Sequence, residues 1–354
     1  MRRAKTIKVR AEKKRVGKCG RRGYNKRKQQ HAQKGNQMQK NFLGKTGIAI
    51  THLGIGTLTM SPMQRGLNVA DGALVILHAL ASGINFIDTA QMYGSYPQVG
   101  EALRQWKGVA PVVASKSAAR TRETMQAAVG ECLQQTGLKK VDAFLLHAVR
   151  DAEDFAGRQG ALDYLLEAKK AGLIGAVGAS SHSAKTIDML GQHPAIDVLH
   201  PMYNRDGIGI LDASLDDMTA FLKRARANGK GIYAMKPLGG GQLRNDAAAS
   251  LDWVLRSGVV DAAVVGMTSA DEVDMNVQVA NGVSVDPAFA RKVAGQPRRL
   301  FINAMVCINC GACIRTCQQS ALKPGEKTPQ INHQLCVLCG YCSPVCPKFA
   351  IRII

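Results

Sequence analysis

From Leu53 to about Ala280 the chain alternates short apolar runs with longer segments whose apolar residues recur every three or four positions. The short runs are LGIGT (53–57), INFIDTA (84–90), VVASK (112–116), DAFLLH (142–147), IGAVGAS (174–180), VLHPMY (198–203), GIYAMK (231–236) and AAVVGM (262–267). Runs of this kind suit strands buried on both faces. The intervening segments, such as TRETMQAAVGECLQQTG and SLDDMTAFLKRARANG, have the period of helices with one buried face. Eight strand–helix units predict an α/β fold in which eight parallel strands close into a (β/α)8 TIM barrel. The alternative, an open doubly wound sheet, would bring a Gly-x-Gly-x-x-Gly turn after its first strand, and none is present. The expected organisation is a tail at 1–42, the barrel at 43–285, a linker at 286–300 and a small C-terminal α+β module at 301–354.

Composition supports that division. With 354 residues and 46% hydrophobic content, the chain can fill one large core and one small one. No run of eighteen apolar residues exists, so no membrane span or membrane partner is expected. The formal net charge of +21 is concentrated at the N-terminus, where residues 1–40 hold sixteen Lys or Arg against Glu12 alone. That is +15, leaving +6 for residues 41–354. A segment so charged and so poor in apolar residues is expected to be disordered. It reads either as an arm for nucleic acid or another anionic surface, or as an extension without function. The second reading is preferred, because no folded binding module accompanies the charges. Arg2-Arg3 lacks the apolar stretch of a twin-arginine signal, and no secretory signal is read.

Catalytic sites in barrels lie at the C-terminal ends of the strands. Here the second strand ends at Asp88, with Tyr93 five residues on; the third ends at Lys116 and the fourth at His147. Singly, these residues read as a cap, a packing ring or a satisfied polar group. Four of them on three consecutive strand ends point to a site. LGKTG (43–47), GINFIDTAQMYG (83–94), VVASKS, DAFLLH, VGASSH, PLGGG (237–241) and GMTSADEVDMN (266–276) make residues 43–282 resemble the aldo-keto reductases. AMKPLGGGQL and the appended module resemble the ferredoxin-fused branch of that family.

The resemblance implies NAD(P)H-dependent reduction of a small carbonyl substrate. Tyr93 would be the general acid, Lys116 would lower its pKa, Asp88 would hold Lys116, and His147 would orient the carbonyl. A phenol near pKa 10 is a weak acid–base partner at neutral pH, and a nearby ammonium brings it toward the working range. For the cofactor, Ser180 matches the family serine, but Ser181 stands for Asn, His200 for Gln, Met235 for a stacking Tyr and Lys236 for Ser. Tyr96-Pro97 stands where Ser-Glu is common. Thr268 and Ser269 can donate to a phosphate. Glu272, four residues before Asn276, occupies the position of the 2′-phosphate arginine, which favours NADH over NADPH.

The last fifty residues carry Cys307, Cys310, Cys313 and Cys317, then Cys336, Cys339, Cys342 and Cys346, each group spaced C-x2-C-x2-C-x3-C. Zinc sites usually set two C-x2-C pairs far apart, and disulfides suit secreted domains. The spacing suits iron–sulfur ligation. Residues 301–354 resemble bacterial-type two-cluster ferredoxins, in which the fourth cysteine of each run serves the other cluster. This implies one 4Fe-4S cluster on Cys307, Cys310, Cys313 and Cys346 and another on Cys336, Cys339, Cys342 and Cys317. Two clusters, with Cys19 and Cys132 besides, suit a reducing, anaerobic cytoplasm. The module's five Lys and Arg against Glu326 offset the formal cluster charge of roughly minus two each, so any redox partner is expected to be internal or weakly charged.

Hydride moves two electrons and each cluster moves one, so the two halves admit three readings. The barrel is an ordinary carbonyl reductase with structural or tuning clusters. Alternatively, it binds another redox cofactor or substrate, a flavin among them, fed singly by the clusters. Or the protein is chiefly an electron-transfer module with a vestigial barrel site. Only a handful of residues separate Leu243 from AAASLDWVLRSG, and the family's long C-terminal loop is absent. The iron–sulfur module is therefore expected to fold over the C-terminal strand face and wall the pocket beside Tyr93 and His147.

Overall fold

Two short strands, β1 (Lys40–Phe42) and β2 (Ala49–Thr51), pair as a hairpin ahead of the barrel. Eight strands follow: β3 (Leu53–Gly56), β4 (Phe86–Asp88), β5 (Val112–Ser117), β6 (Val141–Leu146), β7 (Ile174–Ser181), β8 (Val198–Pro201), β9 (Gly231–Met235) and β10 (Ala262–Gly266). All pair in parallel, and β10 closes on β3. The computed structural model describes residues 38–354 except Gln318, Val337, Cys339, Gly340, Tyr341 and Pro344. The expected disorder of the basic arm lies outside the described residues as far as residue 37.

The helices form where the periodicity places them, with local signals setting their ends. Thr121 and Ser214 each close a capping box at the start of Arg122–Thr136 and Leu215–Ala227. Gly137 ends the first of these at φ 75°, a left-handed conformation natural to glycine. Inside the barrel, Phe86, Leu145, Tyr233 and Val264 pack with Leu43 and Ile50 of the hairpin, which stoppers the N-terminal end. The helices bury their apolar faces on the outer surface of the strands.

Two expected boundaries move. Met38 is already buried and Lys40–Phe42 is a strand, so the folded chain begins before residue 43. The segment 286–300 is not a bare linker. It carries the helix Pro287–Ala294, capped by Asp286, with Val293 packed against Ala247 and Met275.

The C-terminal module is internally repeated. β11 (Leu300–Ile302) pairs antiparallel with β14 (Ile351–Ile353), and β12 (Leu322–Lys323) pairs with β13 (Gln330–Ile331). Asn309 and Leu338 take positive φ at matching places in the two cysteine loops, as do Ser320 and Phe349 after them. β14 docks on the loop Gly239–Gly241, whose φ values are 55°, 69° and 93°. A Cβ on Gly241 would lie 2.2 Å from the Ile353 carbonyl oxygen, so the PLGGG segment admits the module only because it lacks side chains there.

Candidate active site

The strand ends bring Asp88, Tyr93, Lys116 and His147 to one cavity of about 290 Å³. Lys116 Nζ donates to Asp88 Oδ1 (2.6 Å), Asp88 Oδ2 (2.8 Å) and the Thr89 carbonyl (2.9 Å), which uses all three of its protons. Burial raises the Asp88 carboxyl and lowers the Lys116 ammonium; each is opposed by the other's charge. Tyr233 Oη donates to Asp88 Oδ1 at 3.1 Å. The sequence reading missed Tyr233, although a lone phenol within the apolar run GIYAMK was a signal for an inward polar tip.

Tyr93 meets His147 edge-on, with ring centroids 5.6 Å apart, and Lys116 Nζ lies 5.2 Å from the Tyr93 centroid. Lys116 thus lies against the ring, with its three protons given to Asp88 and the Thr89 carbonyl. The expected lowering of the Tyr93 pKa by Lys116 is not found. Burial and the Asp88 charge hold the phenol well above 10, and the cation acting against them is Arg352 of the C-terminal module. Burial, then Lys116, His200, Lys236 and Arg158, hold His147 well below 6.5, so its imidazole is neutral at pH 7. Its backbone is fixed by Arg158, which donates to the His147 carbonyl (2.8 Å) and to Asp154 Oδ2 (2.7 Å).

The remaining candidates divide. Ser180, His200, Met235, Lys236, Thr268 and Glu272 line the same cavity. Ser180 Oγ accepts from the Ala148 amide, and His200 Nδ1 pairs with the Tyr233 carbonyl at 2.7 Å with its ring stacked on Tyr233. Ser181 donates to the Val149 carbonyl and shapes a turn rather than the cavity wall. Ser269 caps the helix Ala270–Ala280, and Asn276 is buried on that helix away from the lining. Glu272 accepts from the Thr268 amide and hydroxyl and is ion-paired with Arg298. Its carboxylate is therefore engaged and neutralised, which removes the premise of the NADH preference. Tyr96 is an inner residue whose hydroxyl bonds Ser115 Oγ.

The C-terminal module does wall this pocket. Phe301, Asn303, Val306, Arg352 and Ile353 line it together with Tyr93 and His147. A second, small hollow is lined by Cys307, Cys310, Cys313 and Cys346, the four thiols expected to share one cluster. No disulfide joins them. The Asn309 amide donates to Cys307 Sγ (3.4 Å) and the Ala350 amide to Cys346 Sγ (3.2 Å), contacts that stabilise thiolates. Among the described residues no cysteine, histidine or acid group converges tightly enough for a single ion. The four thiols around one hollow, with amides donating to two of the sulfurs, are residues that would hold a 4Fe-4S cluster. Of the second set, Cys317 and Cys336 are half-buried, Cys342 is buried, and Cys339 lies outside the described residues.

Comparison with known proteins agrees with this architecture. The model of the aldo/keto reductase family matches residues 52–248, and that of the 4Fe-4S dicluster domain matches residues 306–350. The chain belongs to the aldo/keto reductase family, fused here to a ferredoxin-like iron–sulfur domain, and is an oxidoreductase. It is 25% identical over 291 residues to a probable aldo-keto reductase 1 from Glycine max, covering 68% of this chain and 84% of that one. It is 29% identical over 216 residues to an aldo-keto reductase from Mycobacterium sp. strain MCS, covering 57% and 67%. Among solved structures, a putative aldo-keto reductase from Pseudomonas aeruginosa superimposes with a TM-score of 0.59 at 25% identity, covering 70% of this chain and 96% of that one. An aldo-keto reductase from Bacillus halodurans shares the fold, with a TM-score of 0.59 at 20% identity over 73% of this chain and 97% of its own. No helix among the described residues is long and apolar enough to cross a membrane.

Proposed function

We propose that the protein reduces a small carbonyl compound with NAD(P)H, with Tyr93 as general acid, and carries two 4Fe-4S clusters on its eight C-terminal cysteines. The observation that carries this reading is the meeting of Tyr93 and His147, ring to ring, above the buried Asp88–Lys116 pair in one cavity. A bound dihydronicotinamide supplies hydride to the carbonyl carbon. Tyr93 Oη gives its proton to the carbonyl oxygen, and the neutral His147 donates a hydrogen bond that orients it. The Asp88–Lys116 pair, tied to Tyr233, fixes the floor beneath the phenol. A phenol held above its ordinary value keeps its proton at neutral pH, the form that the proposed reduction uses.

The test is anaerobic, cluster-replete protein assayed for NADH and NADPH oxidation against aldehydes and ketones. Tyr93→Phe should lower kcat about 10²- to 10⁴-fold with little change in cofactor binding. Full activity in that variant would sink the reading.

The shared pocket wall favours one further reading, in which electrons pass singly between the clusters and a cofactor or substrate in the barrel. Anaerobic titration with NADH, followed by cluster EPR, separates the two. Reduced-cluster signal supports electron exchange. Clusters that stay oxidised, yet are reducible by a stronger donor, support the plain reductase.

A further inference from the structure

The carbonyl pocket contains a charge pattern that hydride transfer does not use. Six cationic side chains line it: Arg65, Lys116, Lys236, Arg244, Arg298 and Arg352, of which Arg65 donates to the Pro297 carbonyl and Arg244 to those of Gly241 and Leu338. Lys116 has Asp88 and Arg298 has Glu272. Among the described residues Lys236 and Arg352 meet no carboxylate, and unlike Arg65 and Arg244 they lie over one shared ring. Lys236 Nζ pairs with His182 Nε2 at 3.0 Å, and Arg352 donates to the carbonyls of Phe349 and Ile351. Arg352 is only 8% exposed.

These two residues come from different modules, Lys236 following β9 of the barrel and Arg352 lying in β14. One buried ring holds them together: Lys236 Nζ lies 4.9 Å and the Arg352 guanidinium 4.4 Å from the Phe349 centroid. Attraction to the ring face offsets part of the cost of burying each cation, and the Cys346 charge favours the Arg352 guanidinium, but no carboxylate among the described residues is paired with either cation. Burial and the neighbouring Arg352 and Lys116 hold the Lys236 ammonium well below its ordinary value, and burial lowers Arg352 to about 10. An anion between them removes that strain. Lys236 also sits at φ 54°, a left-handed conformation for a side chain other than glycine, as residues held for function often do.

We propose that Lys236 and Arg352 form an anion subsite for the carboxylate of the substrate, so that the preferred substrates are carboxylate-bearing aldehydes or ketones. The subsite exists only where the two modules meet. The inference rests on the reading of the cavity as a carbonyl site and gives that site its substrate class.

The test uses the full-length, cluster-replete protein under anaerobic conditions, with oxamate and succinamate as probes. Each is an unreactive carboxylate carrying an amide carbonyl, at two different separations. Oxamide and succinamide are the uncharged counterparts. Calorimetry should show at least one carboxylate binding about tenfold or more tightly than its diamide, the gain expected of a charge-assisted hydrogen bond. Lys236→Met and Arg352→Met should each abolish most of that gain, and Arg352→Lys should retain part of it. Cluster absorbance and far-UV circular dichroism identify any variant that has failed to fold.

Carboxylates that bind no better than diamides would overturn the proposal, as would a gain that survives in both methionine variants. Competitive displacement of the carboxylate by NAD+ or by pyrophosphate would assign the cations to the cofactor's phosphates and overturn it too. So would borohydride trapping of a carbonyl compound on Lys236, which would make the amine a nucleophile. If carboxylates bind by charge but no carbonyl is reduced, the reductase reading falls, and with it the assignment to a substrate carboxylate, while anion binding by Lys236 and Arg352 stands. If neutral carbonyls are reduced and carboxylates gain nothing, the reverse holds.

Discussion

Tyr93 carries the strongest consequence at the scale of single residues. Its proton is held above pKa 10 by burial and by the Asp88 charge, and His147 is held neutral well below 6.5. In the proposed reduction the acid form of Tyr93 is the one needed, and raising its pKa extends that form to higher pH. The kcat/KM for carbonyl reduction should therefore be flat through the neutral range, with no alkaline limb from Tyr93 below about pH 10. Alcohol oxidation needs the phenolate and should rise with pH across the same range. A limb between pH 7 and 9 that disappears in Tyr93→Phe would contradict the burial argument. The Glu272–Arg298 pair leads to a second expectation. With the carboxylate neutralised, neither repulsion nor attraction dominates at a 2′-phosphate. NADH and NADPH should differ by less than about tenfold in kcat/KM, since exposed or compensated charges contribute about 1 kcal/mol or less. Arg298→Met, which leaves Glu272 charged and uncompensated, should shift the ratio toward NADH.

Among the elements, the barrel strands are the part most legible in the sequence. They are short apolar runs buried on both faces, and the observed strands fall within the eight runs to within a few residues. The meeting of Asp88, Tyr93, Lys116 and His147 at one cavity was equally legible, because strand ends fix where side chains emerge. The hairpin β1–β2 was not, since each strand has three residues and Phe42 is 65% exposed, so no alternation marks it. The helix Pro287–Ala294 has one wholly buried residue, Val293, too little apolar periodicity to separate from a linker. Arg352 and Tyr233 were missed for a different reason. Each is one polar group in an apolar strand, and only the docking of modules or the closure of the barrel shows what it faces. The helix pair Ala152–Ala156 and Gln159–Lys170 supports His147 through buried Asp154 and Arg158, and the exposed Arg120 and Arg150 also reach Asp154. Burial raises the Asp154 carboxyl, but the bonds from Arg158, Arg150 and Arg120 outweigh it and hold it below the usual carboxylate range. Asp154→Ala would leave Arg158 buried and unpaired beside the His147 carbonyl. It should cost about 3–5 kcal/mol in urea unfolding and lower kcat with it, because the His147 backbone loses its anchor. Unchanged stability would mean that Arg158 finds another partner.

On the scale of the whole molecule, the two modules share a wall rather than a tether. The cavity that holds Tyr93 and His147 is completed by Phe301, Asn303, Val306 and Arg352. The loop 239–241 accepts β14 at a distance that leaves no room for a side chain on Gly241. The module itself has a small apolar core, Leu300, Ile302, Leu322, Ala350, Ile351 and Ile353, with cysteines packed around it. A domain of that size rarely holds its shape on apolar burial alone, and bound metal commonly supplies the remainder. It follows that the clusters stabilise the pocket even if no electron passes through them. Anaerobic removal of iron from the purified protein should lower kcat/KM for carbonyl reduction, although hydride transfer needs no iron, and reconstitution should restore it. Limited proteolysis should then cut the cluster-free protein first within residues 300–354 while the barrel survives. Gly241→Val should mimic the loss in part, with its clusters retained, because it separates β14 from the pocket rim. Reductase activity that is indifferent to both treatments would show that the C-terminal wall is not part of the working site.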